Sequence, residues 1–295
     1  MYAITGITGQ VGGQVAEALL ARAQPVRAVL RDAAKAPAWR ARGCEVAVAA
    51  MDDAAALRGA FDGAAGVFVL LPPVFDPDPA YTHTRAHIDA LSDALASARP
   101  GRVVALSTIG AQATQPNLLN QLGWMEHALA ELTMPVAFLR AAWFVENIAW
   151  DIAQARDAGT IASFLQPTGR AVPMVATADV ARRAAQLLRD SWHGQRVVEL
   201  EGPQRVSPDA IAQTLARLLG RPVRADAVPR AQWETLFRAQ GMQHPGPRMR
   251  MLDGFNEGWI EFERGAAESE KGETAVETVL RGLLARSTAA AVPAA

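Results

Sequence analysis

The first two-thirds of the chain alternate between short apolar runs and alanine-rich stretches with helical spacing. The runs are apolar almost throughout, which is typical of strands in a parallel sheet that is covered on both faces. We predict strands at Tyr2–Thr5, Val26–Leu30, Glu45–Ala49, Gly66–Leu71, Arg102–Ser107 and Val136–Arg140, and helices at Gln10–Ala23, Ala54–Phe61, Ala80–Ala98 and Leu118–Leu132. Strands and helices that alternate in this way predict a doubly wound α/β fold with a parallel sheet.

The pattern changes after Arg140. The next stretch contains Trp143, Phe144 and Trp150 and is predicted to be helical, and a segment rich in glycine and proline follows it. Later elements are predicted as a helix over residues 175–190, a strand at Val197–Gly202, and a helix with Ser207 as N-cap, Pro208 at its first position and Gly220 at its end. The last third of the chain is predicted to be helical and poor in strands.

These elements predict two domains and a tail. The sheet is expected in residues 1–150 together with 172–203. Residues 151–171 with 204–286 are expected to form a smaller, mainly helical lobe that faces the substrate. Residues 287–295, rich in alanine, are expected to be a flexible tail.

Composition and charge narrow the class of protein. The chain has 295 residues, half of them hydrophobic, and a formal net charge of −1. It can therefore bury a large core, and it offers no basic excess for nucleic acid or for an anionic membrane surface. Its single cysteine, Cys44, excludes an internal disulfide framework and a cysteine-built zinc site. With no signal-like or membrane-spanning stretch, we expect a cytoplasmic protein, and the residue usage is typical of a GC-rich bacterial genome.

Three glycines near the start of the chain indicate a nucleotide site. Gly6, Gly9 and Gly12 are spaced three apart, between the first predicted strand and the first predicted helix. Glycine permits the tight turn, the approach of backbone N–H groups to a pyrophosphate, and close packing of helix on sheet. The helix N-terminus supplies partial positive charge for the phosphates. The alternative is a structural turn without a ligand.

The end of the second strand indicates which dinucleotide binds. An acid at this position hydrogen-bonds the ribose 2′-OH of NAD, whereas arginine accommodates the 2′-phosphate of NADP. Arg31 comes first and Lys35 follows, so NADP is favoured over NAD. Asp32 leaves an alternative open, because it could bind a 2′-OH or simply neutralise Arg31.

At this point the chain resembles a known family. The segments TGITGQVGGQVAEALL, LRAAWFVENI and VPMVATADVA are similar to motifs of the NmrA-like branch of atypical short-chain dehydrogenases/reductases, and the resemblance runs from Met1 to about Val223. It implies an NADP-binding Rossmann domain with a small C-terminal lobe. Members of the family include bacterial NADPH quinone oxidoreductases, triphenylmethane reductases and non-enzymatic redox sensors.

The resemblance also implies roles for individual residues. The implied pyrophosphate contacts are Gly6, Thr8, Gly9, Gln10, Val11 and Gly12, and the implied adenine contacts are Asp52 and Asp53. The residues implied to line the rest of the cofactor are Leu70, Leu71, Pro72, Ser107 and Thr108, and those implied to face the nicotinamide and form the substrate pocket are Trp143 and Phe144.

The tyrosine–lysine dyad of many relatives is absent from the sequence. The chain has only Tyr2 and Tyr81, and the residue four positions after Tyr81 is Arg85. Several NmrA-like enzymes keep a lysine four residues before the glutamate of the helix after strand five, but here Leu122 precedes Glu126. An epimerase and a reductase of unactivated ketones are therefore disfavoured, because both need a positioned acid.

Two functions remain. The first is hydride transfer from NADPH to a small electron-poor acceptor, such as a quinone or dye, which needs little acid catalysis. The second is a non-catalytic sensor that binds NADP(H) and a partner protein. We assign the role of general acid to no residue. The weak candidates for that role are Ser107, Thr108 and His127. The oligomeric state is not predicted.

Other features have more than one interpretation. His83 and His87, at i and i+4, suit a metal site, a solvated helical turn or contact with substrate at the rim of the site, and we predict no metal. Trp143 and Phe144 suit a pocket wall or plain core packing.

The segment Gly241–Met251 is predicted to be a loop that could act as a lid. The residues that could close the pocket from the lobe or belong to its core are Trp233, Phe237, Met242, Met249 and Met251. Arg140 and Asn147 are predicted to bridge a turn, and Asp179, Glu201 and Asp209 to be caps and surface charges.

Overall fold

The computed structural model describes residues 1–291 of the chain. The strands are β1 (Tyr2–Ile4), β2 (Val26–Leu30), β3 (Glu45–Val48), β4 (Gly66–Val69), β5 (Val103–Thr108), β6 (Val136–Ala141), β7 (Trp143–Phe144), β8 (Thr160–Ser163), β9 (Met174–Val175), β10 (Gln195–Glu201), β11 (Arg224–Ala227) and β12 (Glu270–Lys271). The α-helices are α1 (Gln10–Leu20), α2 (Ala36–Arg40), α3 (Ala54–Phe61), α4 (Thr82–Ala98), α5 (Asn120–Ala130), α6 (Ile152–Ala158), α7 (Thr177–Arg189), α8 (Pro208–Leu219), α9 (Trp233–Ala239), α10 (Gly246–Glu257) and α11 (Val276–Ala291). Short 3₁₀ helices lie at Ala33–Lys35, Val145–Trp150 and Arg230–Gln232.

The central sheet has eight parallel strands in the order β12-β10-β6-β5-β4-β1-β2-β3. The chain builds outward from β1 to β3, then returns to the other side of β1 and continues through β4. Ligands bind where the strand order reverses in this way, at the carboxyl ends of the strands. The predicted doubly wound fold is therefore confirmed, and its switch point lies between β1 and β4.

Each face of the sheet is covered by its own hydrophobic cluster. Phe68 of β4 packs in the cluster that includes the buried faces of α1 and α7. Val67 and Val69 of the same strand belong to the opposite cluster, with residues of α3, α4 and α5. Side chains alternate across a strand, so a strand buried on both faces is apolar at every position. This is why the apolar runs of the sequence predicted the strands.

The aromatic stretch after β6 differs from the predicted helix. Trp143 and Phe144 form the short strand β7, which pairs in parallel with Met174 and Val175 of β9. A 3₁₀ helix, Val145–Trp150, follows it. Aromatic side chains suit a half-buried pleated surface, and the pairing partner lies about thirty residues further along the chain, so local helical spacing was misleading.

The C-terminal part also contains strands that the sequence did not predict. β8 and β11 pair in parallel, and β12 forms an edge of the main sheet. The helix α8 is as predicted, because the Ser207 side chain accepts a hydrogen bond from the Ala210 N–H over 3.1 Å and Gly220 ends the helix with a φ of 66°. The residue boundaries of the two domains stay a prediction.

The predicted loop Gly241–Met251 and the predicted tail 287–295 are both partly helical in the structure. The second half of Gly241–Met251 is helical, since α10 begins at Gly246 with proline in its first turn. At the other end of the chain, α11 runs to Ala291 and so includes the start of the predicted tail 287–295. Residues 292–295 lie outside the described part of the chain.

Two carboxylates predicted to be surface groups are buried. Asp179 accepts hydrogen bonds from the N–H and hydroxyl of Thr274 and pairs with Arg182 over 2.7 Å. Glu201 accepts from Lys271 over 2.5 Å and from Ser269 over 2.6 Å. Asp179 thus attaches the segment around β12 to α7, and Glu201 attaches it to β10. Among residues 1–291, no helix is both long and apolar enough to cross a membrane.

Candidate active site

The turn after β1 requires glycine at two positions. Gly6 has a φ of +57°, and a Cβ atom there would lie 2.8 Å from Leu70 Cδ2. A Cβ atom at Gly12 would lie 2.4 Å from the Gly6 carbonyl oxygen, closer than real contacts allow. The first turn of α1 therefore lies directly on the turn that precedes it, which is the close approach that the sequence predicted.

The N-terminus of α1 is available to an anion. Gly9 is its N-cap and supplies no side-chain cap, while Thr8, Gly9 and Gln10 are exposed. Backbone N–H groups in the first turn of a helix have no partner within the helix, and the helix dipole adds partial positive charge. This glycine cradle, defined by Gly6, Gly9 and Gly12 with the first turn of α1, fits a diphosphate.

The loop after β4 is held against the cradle. The Thr5 hydroxyl donates to the Phe68 carbonyl over 3.1 Å and accepts from the Leu70 N–H over 3.3 Å. Leu70 thereby covers Gly6, and Leu71 and Pro72 continue along the carboxyl edge of the sheet, half-buried. All three lie at the switch point between β1 and β4.

The acid beside Arg31 has a local structural role. Asp32 Oδ1 accepts a hydrogen bond from the Ala34 N–H over 2.9 Å and caps the 3₁₀ helix Ala33–Lys35. Asp32 forms no ion pair with Arg31, and its role beside a bound dinucleotide stays a prediction. Arg31 and Lys35 are both exposed, and neither forms an ion pair with a residue that the structure describes. The two cations are free to bind a phosphate.

The two aspartates after β3 differ in what they do. Asp53 caps α3, because its carboxylate accepts from the Ala56 N–H over 2.9 Å. Asp52 is exposed, and its charge acts on His87 of α4. Burial lowers the pKa of His87, and the charge of Asp52 partly opposes this. In residues 1–291, no third metal-binding side chain joins His83 and His87 to make a metal site.

The two hydroxyls at the end of β5 have different environments. Ser107 is buried and donates to Glu126 Oε1 of α5 over 2.5 Å. Thr108 is half-buried at the carboxyl end of the strand, and its hydroxyl makes no hydrogen bond with any residue of the described chain. His127 is on the exposed face of α5, so the structure does not bring it together with these hydroxyls.

A buried ionic cluster lies behind Ser107. Arg140 of β6 donates to Glu126 over 2.7 Å and to Glu263 over 2.7 Å, and lies 3.4 Å from Glu199. Burial disfavours the charged guanidinium, but its bonds to Glu126 and Glu263 outweigh this and raise the pKa of Arg140. The predicted bridge from Arg140 to Asn147 is wrong, because the arginine instead links β6 to α5 and β10.

The wall of the site beyond β6 is aromatic. Trp143 and Phe144 are half-buried, and the rings of Trp143 and Phe255, from α10, pack edge-to-face with 5.1 Å between centroids. The helix α10 therefore covers the end of β6 from the C-terminal side. The other aromatic and sulfur side chains considered for the pocket, Trp233, Phe237, Met242, Met249 and Met251, are buried in the core.

Sequence reasoning missed Glu146, whose carboxylate binds the first residue of α7. Glu146 Oε1 accepts from the Thr177 N–H over 2.9 Å and from its hydroxyl over 2.7 Å, at the start of α7. Gln14 of α1 donates to the same Thr177 hydroxyl over 3.0 Å. The glutamate stands in the segment LRAAWFVEN, so its place in a motif was visible, but its partner lies 31 residues away.

Sequence reasoning also missed the tethers of the loop after β4. Asp76 accepts from the backbone N–H groups of Gln243 and His244, over 2.7 and 2.6 Å. The Leu118 N–H, in the loop after β5, donates to the Pro247 carbonyl over 3.0 Å. The loops after β4 and β5 are thus fixed to the start of α10.

Comparisons with known proteins identify a family and relatives of this chain. A model of the NmrA-like family matches residues 2–252. The chain is 30% identical over 244 residues to the NAD(P)H azoreductase of Xenophilus azovorans, covering 82% of each chain, and 27% identical over 246 residues to quinone oxidoreductase 2 of Escherichia coli, again 82% of each.

A solved structure has the same fold. Triphenylmethane reductase of Citrobacter sp., complexed with NADP(H), superposes with a TM-score of 0.79 at 21% identity, covering 96% of this chain and 99% of that one. The family match extends over most of the chain, from β1 into α10. This protein therefore belongs to the NmrA-like family.

Proposed function

We propose that this protein is an NADPH-dependent reductase that passes hydride to a small electron-poor acceptor, such as a quinone or an azo dye. The observation that carries the proposal is the glycine cradle with two unpaired cations, Arg31 and Lys35, at the end of the neighbouring strand. The names of the relatives, an azoreductase and a quinone oxidoreductase, support the same reaction class.

NADP is the preferred cofactor in this proposal. Arg31 presents a planar fork of N–H donors that suits the 2′-phosphate, and Lys35 adds a second charge. One oxygen of the Asp32 carboxylate already caps the helix that contains Lys35, which weakens the case for Asp32 as a ligand of a ribose 2′-OH. The Citrobacter reductase is complexed with NADP(H), which supports this preference. We place Asp52 at the adenine and Leu70, Leu71 and Pro72 along the cofactor.

The acceptor would lie at the carboxyl end of β5 and β6. Bound NADPH supplies the hydride, and Trp143 and Phe144 offer a flat wall for an aromatic acceptor. The Thr108 hydroxyl is available to hydrogen-bond the acceptor, whereas the Ser107 proton is already used by Glu126. With no ammonium at Leu122, solvent water supplies the proton that completes reduction, which suits quinones and azo bonds but not unactivated ketones.

The second candidate is a sensor that binds NADP(H) without turnover. The same absence of an acid beside Thr108 favours it, since a sensor needs none. Purified protein is mixed with NADPH or NADH and with a quinone, an azo dye or an aldehyde, and cofactor oxidation is followed by absorbance. Oxidation that depends on the quinone or dye and prefers NADPH supports the reductase. Tight NADPH binding with no turnover of any acceptor contradicts it and favours the sensor.

A further inference from the structure

A guanidinium without an anionic partner lies beside the loops that flank the site. Arg248, in the first turn of α10, is half-buried, and among the described residues no carboxylate pairs with it. The one hydrogen bond that its side chain makes within residues 1–291 is a weak contact of 3.6 Å to Met242 Sδ. The guanidinium carbon lies 4.5 Å from the centroid of the Phe237 ring and 5.8 Å from that of Phe75.

Neighbouring arginines of the lobe behave differently. Arg250 pairs with Asp253 over 3.3 Å, and Arg230 pairs with the same carboxylate over 2.6 Å. Arg238 pairs with Glu234 over 2.9 Å. Burying a cation without an anion costs free energy unless a ligand supplies the countercharge. Burial also lowers the pKa of Arg248, with no opposing charge.

Arg248 lies on the same helix as the residue that contacts Trp143, one of the two aromatic side chains proposed as the wall for the acceptor. Arg248 and Phe255 are seven residues apart on α10, so they share one helix face, about 10 Å apart along the axis. Phe255 is the residue that contacts Trp143. Phe75, whose ring also lies near the Arg248 guanidinium, belongs to the loop after β4 and is 48% exposed despite its size.

We propose that Arg248 binds an anionic group, such as a sulfonate or carboxylate, carried by the acceptor at the end away from the ring that stacks at Trp143. The spacing considered is the rise of about 10 Å along α10 between Arg248 and Phe255. This inference rests on the proposed function. The exposed Phe75 ring would contact the aromatic body of such an acceptor between the two ends. The spacing fits a two-ring aromatic compound, such as an azo dye, better than a simple benzoquinone, and the positive charge disfavours cationic dyes.

The test uses two dyes of equal shape and different charge, 4-(phenylazo)benzenesulfonate and 4-(phenylazo)benzenesulfonamide. Their binding to the protein saturated with NADP⁺ is measured by calorimetry, where no reduction can occur. We expect the sulfonate to bind wild type at least about tenfold more tightly than it binds Arg248→Met, since a charged hydrogen bond is lost. The ratio of sulfonate to sulfonamide affinity should fall by the same factor. Arg248→Lys, which keeps the charge but loses the fork, should retain part of it.

Arg250→Met is the matched control, because Arg250 is on the same helix but is exposed and already paired with Asp253. Its ratio of affinities should equal that of wild type, and melting temperatures report whether each variant is folded. Sulfonate affinity that is within twofold in wild type and folded Arg248→Met overturns the proposal, as does a wild type that does not distinguish the two dyes.

The two hypotheses fail in different ways. If the sulfonate binds through Arg248 but NADPH reduces neither dye nor any quinone, the anion site is supported and the reductase is contradicted. If both dyes are reduced with the same kcat/KM ratio in wild type and Arg248→Met, the reductase is supported and the anion site is overturned.

Discussion

The hydroxyl of Ser107 donates to Glu126 over 2.5 Å, and Glu126 in turn accepts from Arg140 over 2.7 Å. A hydroxyl at the end of β5 is where a proton donor to the acceptor would be sought. Here that proton points into a buried ionic cluster, which fixes the ends of β5 and β6 relative to α5. Ser107 is therefore held in this cluster, whereas the Thr108 hydroxyl makes no hydrogen bond with any residue of the described chain.

The cluster predicts a large effect of Arg140→Met on stability. The substitution leaves the buried Glu126 and Glu199 without their cation, so the free energy of unfolding should fall by about 3–5 kcal/mol. Urea denaturation measures this. Arg238→Met removes an exposed pair with Glu234 and should cost less than about 1 kcal/mol. Similar losses in both variants would show that the Arg140 cluster contributes no more than a surface pair.

The choice of cofactor is tested at Arg31. Arg31→Ala should weaken NADP binding at least about tenfold and leave NAD binding nearly unchanged, because only NADP has the 2′-phosphate. Calorimetry with each dinucleotide gives both dissociation constants. Arg40→Ala, an exposed arginine on the adjacent helix α2, is the control and should change neither. Equal losses of NADP and NAD affinity in Arg31→Ala would remove the basis of the assignment.

The cradle is tested by adding one methyl group. In Gly12→Ala the Cβ atom would lie 2.4 Å from the Gly6 carbonyl oxygen, so α1 must move and dinucleotide affinity should fall at least about tenfold. Gly59, in α3, has nothing within 4 Å of a Cβ atom. Gly59→Ala should therefore stabilise the protein by about 0.5–1 kcal/mol and leave affinity unchanged. A Gly12→Ala protein that binds NADP like wild type contradicts the geometry of the cradle.

Stability should depend on pH through Asp151. Burial raises the pKa of Asp151 to about 6, although a hydrogen bond from the Ala162 N–H opposes this. The unfolded residue has a pKa of about 3.9, so between about pH 4 and pH 6 the folded state holds a proton that the unfolded state has lost. The unfolded state then binds fewer protons, so stability falls as the pH rises through this window.

The variant Asp151→Asn removes this ionisation and keeps an oxygen for the Ala162 N–H. It should stabilise the protein by about 1–3 kcal/mol near pH 7.5 and by little near pH 4, as measured by urea denaturation at both pH values. Asp157→Asn is the control. The bond from Arg156 lowers the pKa of Asp157, so the effect of this carboxylate on stability has the opposite dependence on pH. An Asp151→Asn effect that is equal at both pH values contradicts the prediction.

The sheet and the cradle were predictable because their signals are local. A strand such as Gly66–Val69 is buried on both faces, so its apolar run is contiguous in sequence. Gly12 is constrained by the backbone of Gly6, six residues earlier, and Gly6 by its own positive φ. Ser207 and Gly220 likewise identify the ends of α8 from neighbouring positions.

The rest depends on partners that are distant in the chain. Arg140 finds Glu199 and Glu263, 59 and 123 residues away, and no spacing in the sequence connects them. Asp76 is tied to Gln243 across 167 residues. Trp143 forms a strand only because β9 returns beside it. Arg248 differs from its neighbours because no carboxylate in residues 1–291 pairs with it, and only the fold shows this.

The isotope effect on NADPH oxidation is the measurement that tests the account most closely, because it reports hydride transfer directly. NADPH carrying deuterium at one or the other face of C4 is oxidised by the protein in the presence of an azo dye or a quinone, and the rate is compared with that of unlabelled NADPH. We predict a primary isotope effect for one C4 face only, with NADPH oxidised in stoichiometric amounts to acceptor reduced and with NADH far less effective. NADPH that binds tightly but is never oxidised by an added acceptor, or oxidation with no isotope effect from either face, would contradict the assignment as a reductase.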